Sequence, residues 1–178
     1  MNTIIVYSSQ TGFTEKYANW LGDRLSAKVM KLDEAKKISS AEFDKADAVI
    51  YGGWVMAGKP VGADWFLKHI PEWKEKKLVL FCVGGCPGDA PDIEDNLKNA
   101  LTDEQRQYVK AFYCQGGFNY ERMGLPSKLA MKAFASMINK KKDKTEEDRI
   151  MGEMITHSYD ISDEKFLDPI VAYINGEK

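Results

Sequence analysis

Residues 3–14 have the sequence TIIVYSSQTGFT, in which an apolar, largely β-branched run passes directly into a loop of small polar residues. The run at 3–9 predicts a buried strand. After the loop, residues 13–26 place apolar side chains at helical spacing, which predicts a helix. A buried strand followed at once by a helix is typical of a parallel α/β sheet.

The loop between this strand and helix has the spacing hydroxyl-x-Thr-Gly-x-Thr, formed by Ser9, Thr11, Gly12 and Thr14. Amides at a helix N-terminus favour an anion, the three hydroxyls add donors, and glycine lets the backbone approach closely. The pattern is neither GxxxxGKS/T nor GxGxxG, which argues against a P-loop nucleotidase and a dinucleotide fingerprint. Alternatively, Ser9 and Thr11 only cap the helix. The position directly after the first strand favours a phosphate site.

Strands and helices alternate five times along the chain, which predicts a parallel sheet with helices on both faces. In such a sheet, ligands bind beyond the carboxyl ends of the strands. We expect three loops rich in glycine or small residues to gather there, at 9–14, 52–61 and 84–91. The later predicted strands are 28–32, 46–52, 77–83 and 109–115, and the later predicted helices include 62–70, 92–107 and 162–175.

The chain has 178 residues, of which 44% are apolar and 29% charged, and we expect a single domain over 1–178. No apolar run approaches the roughly 20 residues that cross a bilayer. The opening MNTIIVYSSQ has no basic stretch, so we expect no signal peptide and a cytoplasmic protein with reduced thiols. Two histidines and three cysteines, none at metal-ligand spacing, predict no metal site.

A segment at about 117–161 interrupts the alternation and is too long for an ordinary connection; such insertions are often functional. Between Arg122 and Lys144 it holds seven basic residues and one acidic residue, a net charge of +6. Because the whole chain has a charge of −2, the remainder has −8. An otherwise acidic surface argues against a nucleic-acid partner.

The same segment contains an amphipathic pattern at about 125–139, which predicts a helix. We expect its apolar face to pack on the domain and its lysine face to be solvated. Two alternatives stay open: contact of the basic helix at 125–144 with an anionic membrane surface, and docking to an acidic redox partner protein. The predicted apolar face is Ala130, Met131, Phe134, Met137 and Ile138, and the opposite face is Lys128, Lys132, Ser136 and Asn139.

The sequence SSQTGFT after a first buried strand resembles the phosphate loop of the flavodoxins, and the resemblance covers nearly the whole chain. It implies a three-layer α/β flavodoxin-like fold, with a five-stranded parallel sheet in the order 2-1-3-4-5, and bound FMN. It also implies that the first loop holds the phosphate and that the flavin ring lies between the other two loops. The residues that it assigns to FMN are Ser9, Gln10, Thr11, Gly12, Phe13, Thr14, Gly53, Trp54, Val55, Met56, Gly84, Gly85 and Cys86.

Trp54 is the candidate for an aromatic residue packed on the flavin ring, because glycines flank its loop; alternatively, it fills the edge of the core. Flavodoxins control flavin potential by flipping a peptide near the ring, for which Gly53 and Gly58 are both candidates. The third loop has no second aromatic residue. It offers Cys86 instead, which we interpret as a small residue beside glycines rather than a redox group. One face of the ring would then be open.

The run at 115–148, QGGFNYERMGLPSKLAMKAFASMINKKKDKTEED, resembles the tail of flavodoxin-like proteins related to the quinone-linked protoporphyrinogen IX dehydrogenase of bacteria. This implies an FMN-dependent oxidoreductase that passes electrons between a small organic substrate and a quinone or another acceptor. The open ring face would receive the substrate, with Phe118 or Tyr120 lining the site. Two alternatives are a flavodoxin-type electron carrier between protein redox partners and a flavin-free regulatory module on the same fold.

Overall fold

The structure, a computed structural model, describes residues 1–90 and 92–177. Its main sheet contains β1 (Thr3–Ser8), β2 (Lys28–Lys31), β3 (Ala48–Met56), β4 (Lys59–Pro60), β5 (Lys77–Gly84) and β6 (Val109–Gln115). All pairings are parallel except that of the two-residue β4, which pairs antiparallel with the end of β3. The order β2-β1-β3-β5-β6 is the predicted order once β4 is set aside, so the predicted α/β fold is confirmed.

Helices lie on both faces of this sheet. They are α1 (Phe13–Leu25), α2 (Leu32–Ala35), α3 (Ser40–Asp44), α4 (Ala63–Lys68), α5 (Ile70–Trp73), α6 (Asp92–Asn99) and α9 (Asp168–Asn175). The helices α7 (Leu125–Lys140) and α8 (Glu146–Met154) belong to the segment at 117–161. Short 3₁₀ helices span Gln105–Gln107 and Glu164–Leu167.

Two hydrophobic cores sandwich the sheet, because successive strand side chains point to opposite faces. Ile5 and Phe81 pack in the core that includes α1 and α9. Ile4 and Leu80 pack in the other core, which includes α2 to α6. All four are at most 2% exposed, and each such side chain contributes about 1.5–3 kcal/mol when fully buried. This burial holds the carboxyl ends of the strands in fixed positions.

The strand β3 is longer than the predicted strand at 46–52, because it continues through the first half of the predicted second loop. Met56 pairs with Lys59 across a two-residue turn in which Ala57 and Gly58 have φ angles of 50° and 77°. Positive φ at both central positions is typical of a tight hairpin turn. The predicted loop at 52–61 is therefore a strand end, a hairpin and only then a loop.

Three predicted helices differ in extent from the observed ones. Pro71 was expected to end the helix at 62–70, but α4 ends earlier and Pro71 lies in the first turn of α5, where a missing amide costs nothing. The helix predicted at 92–107 ends at Asn99, and the chain turns again where Thr102 and Gln105 cap each other's amides. The helix predicted at 162–175 begins as a 3₁₀ turn. Pro91, the last residue of the predicted third loop, lies outside the described residues.

The segment at 117–161 folds as a helical insertion whose base is a two-stranded ribbon. Strands β7 (Gly117–Phe118) and β8 (Tyr159–Asp160) pair antiparallel, and α7 and α8 lie between them in the chain. The two helices pack against each other near Ile138 and Gly152.

The predicted apolar face of α7 is wrong in part. Ile138 is buried, but Phe134 and Met137, which were assigned to the same face, are exposed. Leu125 and Leu129 are exposed as well. Together with Met137 they lie on the side of α7 that is turned away from Ile138, which we call the outer side, whereas Phe134 lies next to Ile138 around the helix. The helix is apolar on two sides, so its periodicity alone does not identify the side that packs.

Candidate functional site

The carboxyl ends of the central strands lie at one edge of the sheet, where the three predicted ligand loops meet. Ser8, at the end of β1, is opposite Gly53 in β3. Trp54 is opposite Val83 in β5. This register brings the first, second and third loops side by side, as in other open α/β sheets that bind ligands at this edge.

The first loop presents uncapped amides at the start of α1. Gly12, the residue before the helix, has a φ of 103°, a conformation that favours glycine. Its amide donates a hydrogen bond to Ser9 Oγ at 3.2 Å, and no side chain caps α1. The amides of the first helical turn, from Phe13 onward, have no intrahelical acceptor. Ser9 and Thr11 therefore do not act as helix caps, and these amides are available to an anion.

Thr14 carries a buried hydroxyl without a partner. Its residue is 1% exposed, and Oγ1 has no hydrogen-bond partner among the described atoms. An unsatisfied buried polar group costs about 1–3 kcal/mol, and native structures rarely retain one without a reason. The hydroxyl lies in the first turn of α1, beside the uncapped amides, so a phosphate oxygen bound there would supply its missing partner.

The insertion reaches this first loop, which no pattern in the sequence indicated. Gln10 Nε2 donates to Ser127 Oγ at 3.0 Å, and Ser127 lies in the first turn of α7. A Cβ atom placed at Gly12 would lie 3.0 Å from Arg122 Nη1. The guanidinium group thus lies close to the backbone at Gly12, whose left-handed φ by itself favours glycine. Arg122 and Ser127 therefore lie against the first loop, and the sequence-based prediction included neither of them.

In the second loop, packing within the chain requires glycine at position 53. A Cβ atom at Gly53 would lie 2.9 Å from Val61 O and 3.1 Å from Pro60 Cβ. The hairpin that follows β3 therefore folds back over Gly53. Trp54 and Val55 are half-buried at the strand end, and Met56 is exposed. Of the two glycines considered for a peptide flip, only Gly58 has a positive φ. Stacking of Trp54 on a flavin stays a prediction.

The third loop is held by tyrosines from outside it. Tyr113 donates to Cys86 O at 2.8 Å, and Tyr159 donates to Gly85 O at 2.7 Å. Burial raises the pKa of both phenols, so they are protonated and act as donors at neutral pH. A Cβ atom at Gly84 would lie 2.6 Å from Tyr113 Oη, so this position also requires glycine.

An aromatic cluster from the insertion covers the third loop. A Cβ atom at Gly85 would lie 2.4 Å from Phe118 Cε2, so the Phe118 ring rests directly on the loop backbone. Phe118 packs edge-on against Tyr159, with ring centroids 5.4 Å apart, and stacks with Tyr120 at 6.5 Å. All three rings are half-buried. The predicted substrate-lining residues thus lie at the third loop, and Tyr159 is a further member that the sequence did not indicate.

The acidic residue nearest the start of α1 is already engaged. Tyr7 donates to Glu15 Oε1 at 2.6 Å, and Lys31 Nζ lies 3.5 Å from the same oxygen. The hydrogen bond from Tyr7 is the largest reason that the pKa of Glu15 is below its ordinary value. Its negative charge is therefore partly compensated, and the repulsion between Glu15 and an anion bound in the first loop is weakened.

The buried cysteines are chemically quiet. Burial raises the pKa of Cys82 to about 12, and burial also raises that of Cys114. Both thiols are protonated at neutral pH, and a protonated thiol is a poor nucleophile. Among the side chains that the structure describes, no cluster of His, Cys, Asp and Glu could hold a metal ion. No helix in the described part of the chain is both long and apolar enough to cross a membrane.

The family of the chain follows from a match over most of its length. A model of the flavodoxin domain matches residues 4–146. The chain therefore belongs to the flavodoxin domain family, which confirms the predicted fold and agrees with FMN as the cofactor and with a redox function. No curated protein matches the chain.

Several solved structures are similar to the chain at low identity. A flavodoxin, WrbA-like protein from Agrobacterium tumefaciens is 21% identical over 61% of this chain and 66% of its own, with a TM-score of 0.40. Rubredoxin oxygen:oxidoreductase from Desulfovibrio gigas is 16% identical over 98% of this chain but only 36% of its own, with a TM-score of 0.48. A flavoprotein from Lactobacillus acidophilus in complex with FMN is 13% identical over 64% of this chain and 91% of its own, with a TM-score of 0.46. The chain thus spans less than two thirds of the first two. The family assignment rests on the match to the flavodoxin domain.

The residues of the first loop fit the phosphate of FMN. The uncapped amides, the unpartnered Thr14 hydroxyl and the guanidinium of Arg122 are all donors, and they belong to or lie against the start of α1. Such a set suits a doubly charged oxyanion.

Proposed function

We propose that the protein is an FMN-dependent oxidoreductase that passes electrons between a small organic substrate and a quinone or another acceptor. In this proposal the loop at 9–14 holds the phosphate, and the ring lies between the loops around Trp54 and Gly85. FMN supplies the redox chemistry, and the chain supplies binding, orientation and exclusion of water. The observation that carries the proposal is the packing of the insertion's aromatic side chains on the third loop.

The substrate would lie against the half-buried rings of Phe118 and Tyr120. These rings offer a flat apolar surface next to the loop that borders the flavin, which suits a planar molecule. Tyr120 also donates to Ile155 O, so its ring is held from the far side. A protoporphyrinogen-like tetrapyrrole is the substrate class that the insertion's resemblance implies, and a quinone is the acceptor.

Substitution of the two rings tests the substrate site. We expect Phe118→Leu and Tyr120→Leu to lower substrate turnover while FMN stays bound, because the stacking surface is lost. Phe134→Leu is the matched control, since Phe134 is an exposed aromatic residue of the same insertion. Turnover of protoporphyrinogen and of simple quinones is measured for each variant. Unchanged turnover in both ring variants would contradict this placement of the substrate.

An electron carrier between protein partners is the second candidate function. It is favoured by the uneven distribution of charge, because the segment from Arg122 to Lys144 has a net charge of +6 and the rest of the chain has a net charge of −8. Such asymmetry steers charged partners and is weakened by salt. Anaerobic stepwise reduction separates the two functions. Reduction in resolved one-electron steps without substrate turnover would favour the carrier, whereas direct two-electron reduction with turnover would favour the enzyme.

We also propose that the outer side of α7 contacts an anionic membrane surface, from which a quinone would be drawn. Leu125, Leu129 and Met137 are exposed on this side, and Leu125 is 77% exposed. Lysines adjoin them along 128–144. Exposed apolar side chains beside lysines are typical of helices that lie at a lipid interface.

Vesicle sedimentation tests the membrane contact. We expect the protein to bind phosphatidylglycerol vesicles at low salt and Lys140→Glu/Lys142→Glu to bind them weakly. Lys141 is left in place because it pairs with Asp148 at 2.8 Å. Lys68→Glu/Lys74→Glu, at the exposed last residue of α4 and the exposed residue after α5, is the control with the same change in charge. Absence of wild-type binding at low salt would refute the contact.

A further inference from the structure

Arg122 lies against the first loop although it belongs to the insertion. A Cβ atom at Gly12 would lie 3.0 Å from Arg122 Nη1, so the guanidinium group is close to the backbone just before α1. The uncapped amides of α1 follow directly in the chain, and the buried, unpartnered hydroxyl of Thr14 belongs to the same helical turn. Three kinds of hydrogen-bond donor therefore occur at the start of α1, and one of them carries a full positive charge.

The turn that carries Arg122 is held in place by several hydrogen bonds. The Arg122 amide donates to Asn119 Oδ1 at 3.1 Å, and the Tyr120 amide donates to Ser158 Oγ at 3.0 Å. Ser158 in turn donates to Glu121 Oε2 at 2.8 Å. The next residue, Met123, is 8% exposed. The backbone of Arg122 is thus fixed before any ligand binds, which lowers the entropy lost on binding.

A second contact fastens the insertion to the first loop. Gln10 and Ser127 form a hydrogen bond of 3.0 Å between Nε2 and Oγ, and Ser127 Oγ is 3.3 Å from Gln10 Oε1. Because Gln10 lies in the loop and Ser127 in the first turn of α7, the two segments are joined next to the phosphate site. Arg122 lies five residues before Ser127 in the chain. Hydrogen bonds at Tyr120 and at Ser127, before and after Arg122 in the chain, therefore hold its segment in place.

The positive charge of Arg122 is not neutralised by the protein. Arg122 forms no salt bridge with any carboxylate among the described side chains. Its attraction to Glu15 is the smallest of the effects on the pKa of that residue, which is engaged by Tyr7 and Lys31. Arginine binds phosphate oxygens through two parallel N–H groups, a geometry that a neutral donor cannot supply.

We propose that Arg122 is a phosphate-binding residue through which the insertion recognises the FMN phosphate. This inference rests on the proposed function, because it requires that the first loop holds FMN. It assigns specificity as well: Arg122 distinguishes FMN from riboflavin, which lacks the phosphate. It also makes FMN affinity fall with salt, since a charged pair at a partly exposed site is screened.

Flavin titration of the flavin-free protein tests this role without any need for turnover. The dissociation constants of FMN and riboflavin are measured by quenching of flavin fluorescence, at low and at high salt. We expect Arg122→Gln to weaken FMN binding about tenfold or more, as for loss of a hydrogen bond to a charged group, and to change riboflavin binding less than about twofold. The variant should also lose most of the salt dependence. Arg122→Lys, which keeps the charge but not the paired donors, should lie between the two.

Arg149→Gln is the matched control, because Arg149 is an exposed arginine of the same insertion whose nearest acid, Glu146, is 3.9 Å away. It should bind both flavins as the wild type does. If the wild type binds FMN and Arg122→Gln binds it equally well, or loses FMN and riboflavin to the same extent, the role of Arg122 is refuted while the proposed function stands. If the wild type binds neither flavin, the proposed function itself is refuted.

Discussion

At the scale of single residues, two positions characterise the first loop, Thr14 and Gly12. Thr14 lacks a partner for a buried hydroxyl, and Gly12 lacks the Cβ that would meet Arg122. Neither feature improves the stability of the chain by itself, since an unsatisfied hydroxyl is costly and glycine adds entropy to the unfolded chain. In our proposal, an anion bound at the first loop accounts for both.

Thr14→Val separates stability from cofactor binding. Valine keeps the shape of the side chain and removes the unsatisfied hydroxyl. We expect the flavin-free variant to be as stable as the wild type or up to about 1 kcal/mol more stable. We expect its FMN dissociation constant to rise about tenfold or more, as for loss of one hydrogen bond to a charged group. Urea unfolding and flavin titration measure the two effects.

Thr3→Val is the control for that substitution. Thr3 is also buried in the sheet region, at 2% exposed, but it lies at the opposite end of β1 from the loop. Its substitution should leave FMN affinity unchanged. A Thr14→Val variant that destabilises the flavin-free protein and binds FMN normally would contradict our interpretation of the hydroxyl.

The hydrogen bond from Tyr7 gives a pH-dependent prediction at the same scale. A carboxylate whose pKa is lowered in the folded state stabilises the fold above its ordinary pKa, and this contribution is lost as the pH falls through the lowered value. We expect Tyr7→Phe to raise the pKa of Glu15, measured by NMR titration of its carboxyl carbon. Glu42, whose pKa is lowered by its hydrogen bond with Lys28, is the internal control and should not change. A Glu15 pKa unaffected by Tyr7→Phe would refute the assignment.

At the scale of elements, β5 and α7 are opposite cases. Six consecutive residues of β5, from Leu78 to Val83, are buried, so the strand packs on both faces. The helix α7 buries mainly Ile138 and leaves four large apolar side chains exposed. The strand therefore contributes to stability, and the exposed side of the helix does not.

Truncation of one leucine in each element tests this contrast. We expect Leu80→Ala in β5, where the side chain is 0% exposed, to lower the free energy of unfolding by about 2–5 kcal/mol. Leu129→Ala in α7, where it is 68% exposed, should change it by less than about 0.5 kcal/mol. Urea unfolding measures both. A comparable loss at Leu129 would mean that this side of α7 is covered in solution.

These elements also show how far the sequence predicts the fold. The five main strands were predicted to within a few residues, because a run of buried β-branched side chains between polar turns has few other interpretations. The helix at 92–107 was predicted too long, since its apolar spacing continues past the turn at Thr102. The packing side of α7 was mistaken because both of its sides are apolar. A pattern of spacing does not say which side finds a partner.

At the scale of the whole molecule, the site is closed by contacts between distant parts of the chain. Gln10 and Ser127 are 117 residues apart, and Tyr159 meets Gly85 across 74 residues. The loops at the strand ends were predictable from the topology of a parallel sheet. The contacts of the insertion with the first and third loops were not predictable. Nothing in the sequence distinguishes Arg122 from the other six basic residues of its segment, or Tyr159 from the other seven tyrosines of the chain.

Retention of FMN is the measurement that tests the central claim most directly. The purified protein is mixed with excess FMN and desalted, and the flavin absorbance that remains is compared with the protein concentration. We expect one FMN per chain, with its fluorescence quenched. Protein that is folded by circular dichroism and yet retains no flavin would contradict the cofactor assignment and, with it, the site described around Thr14 and Arg122.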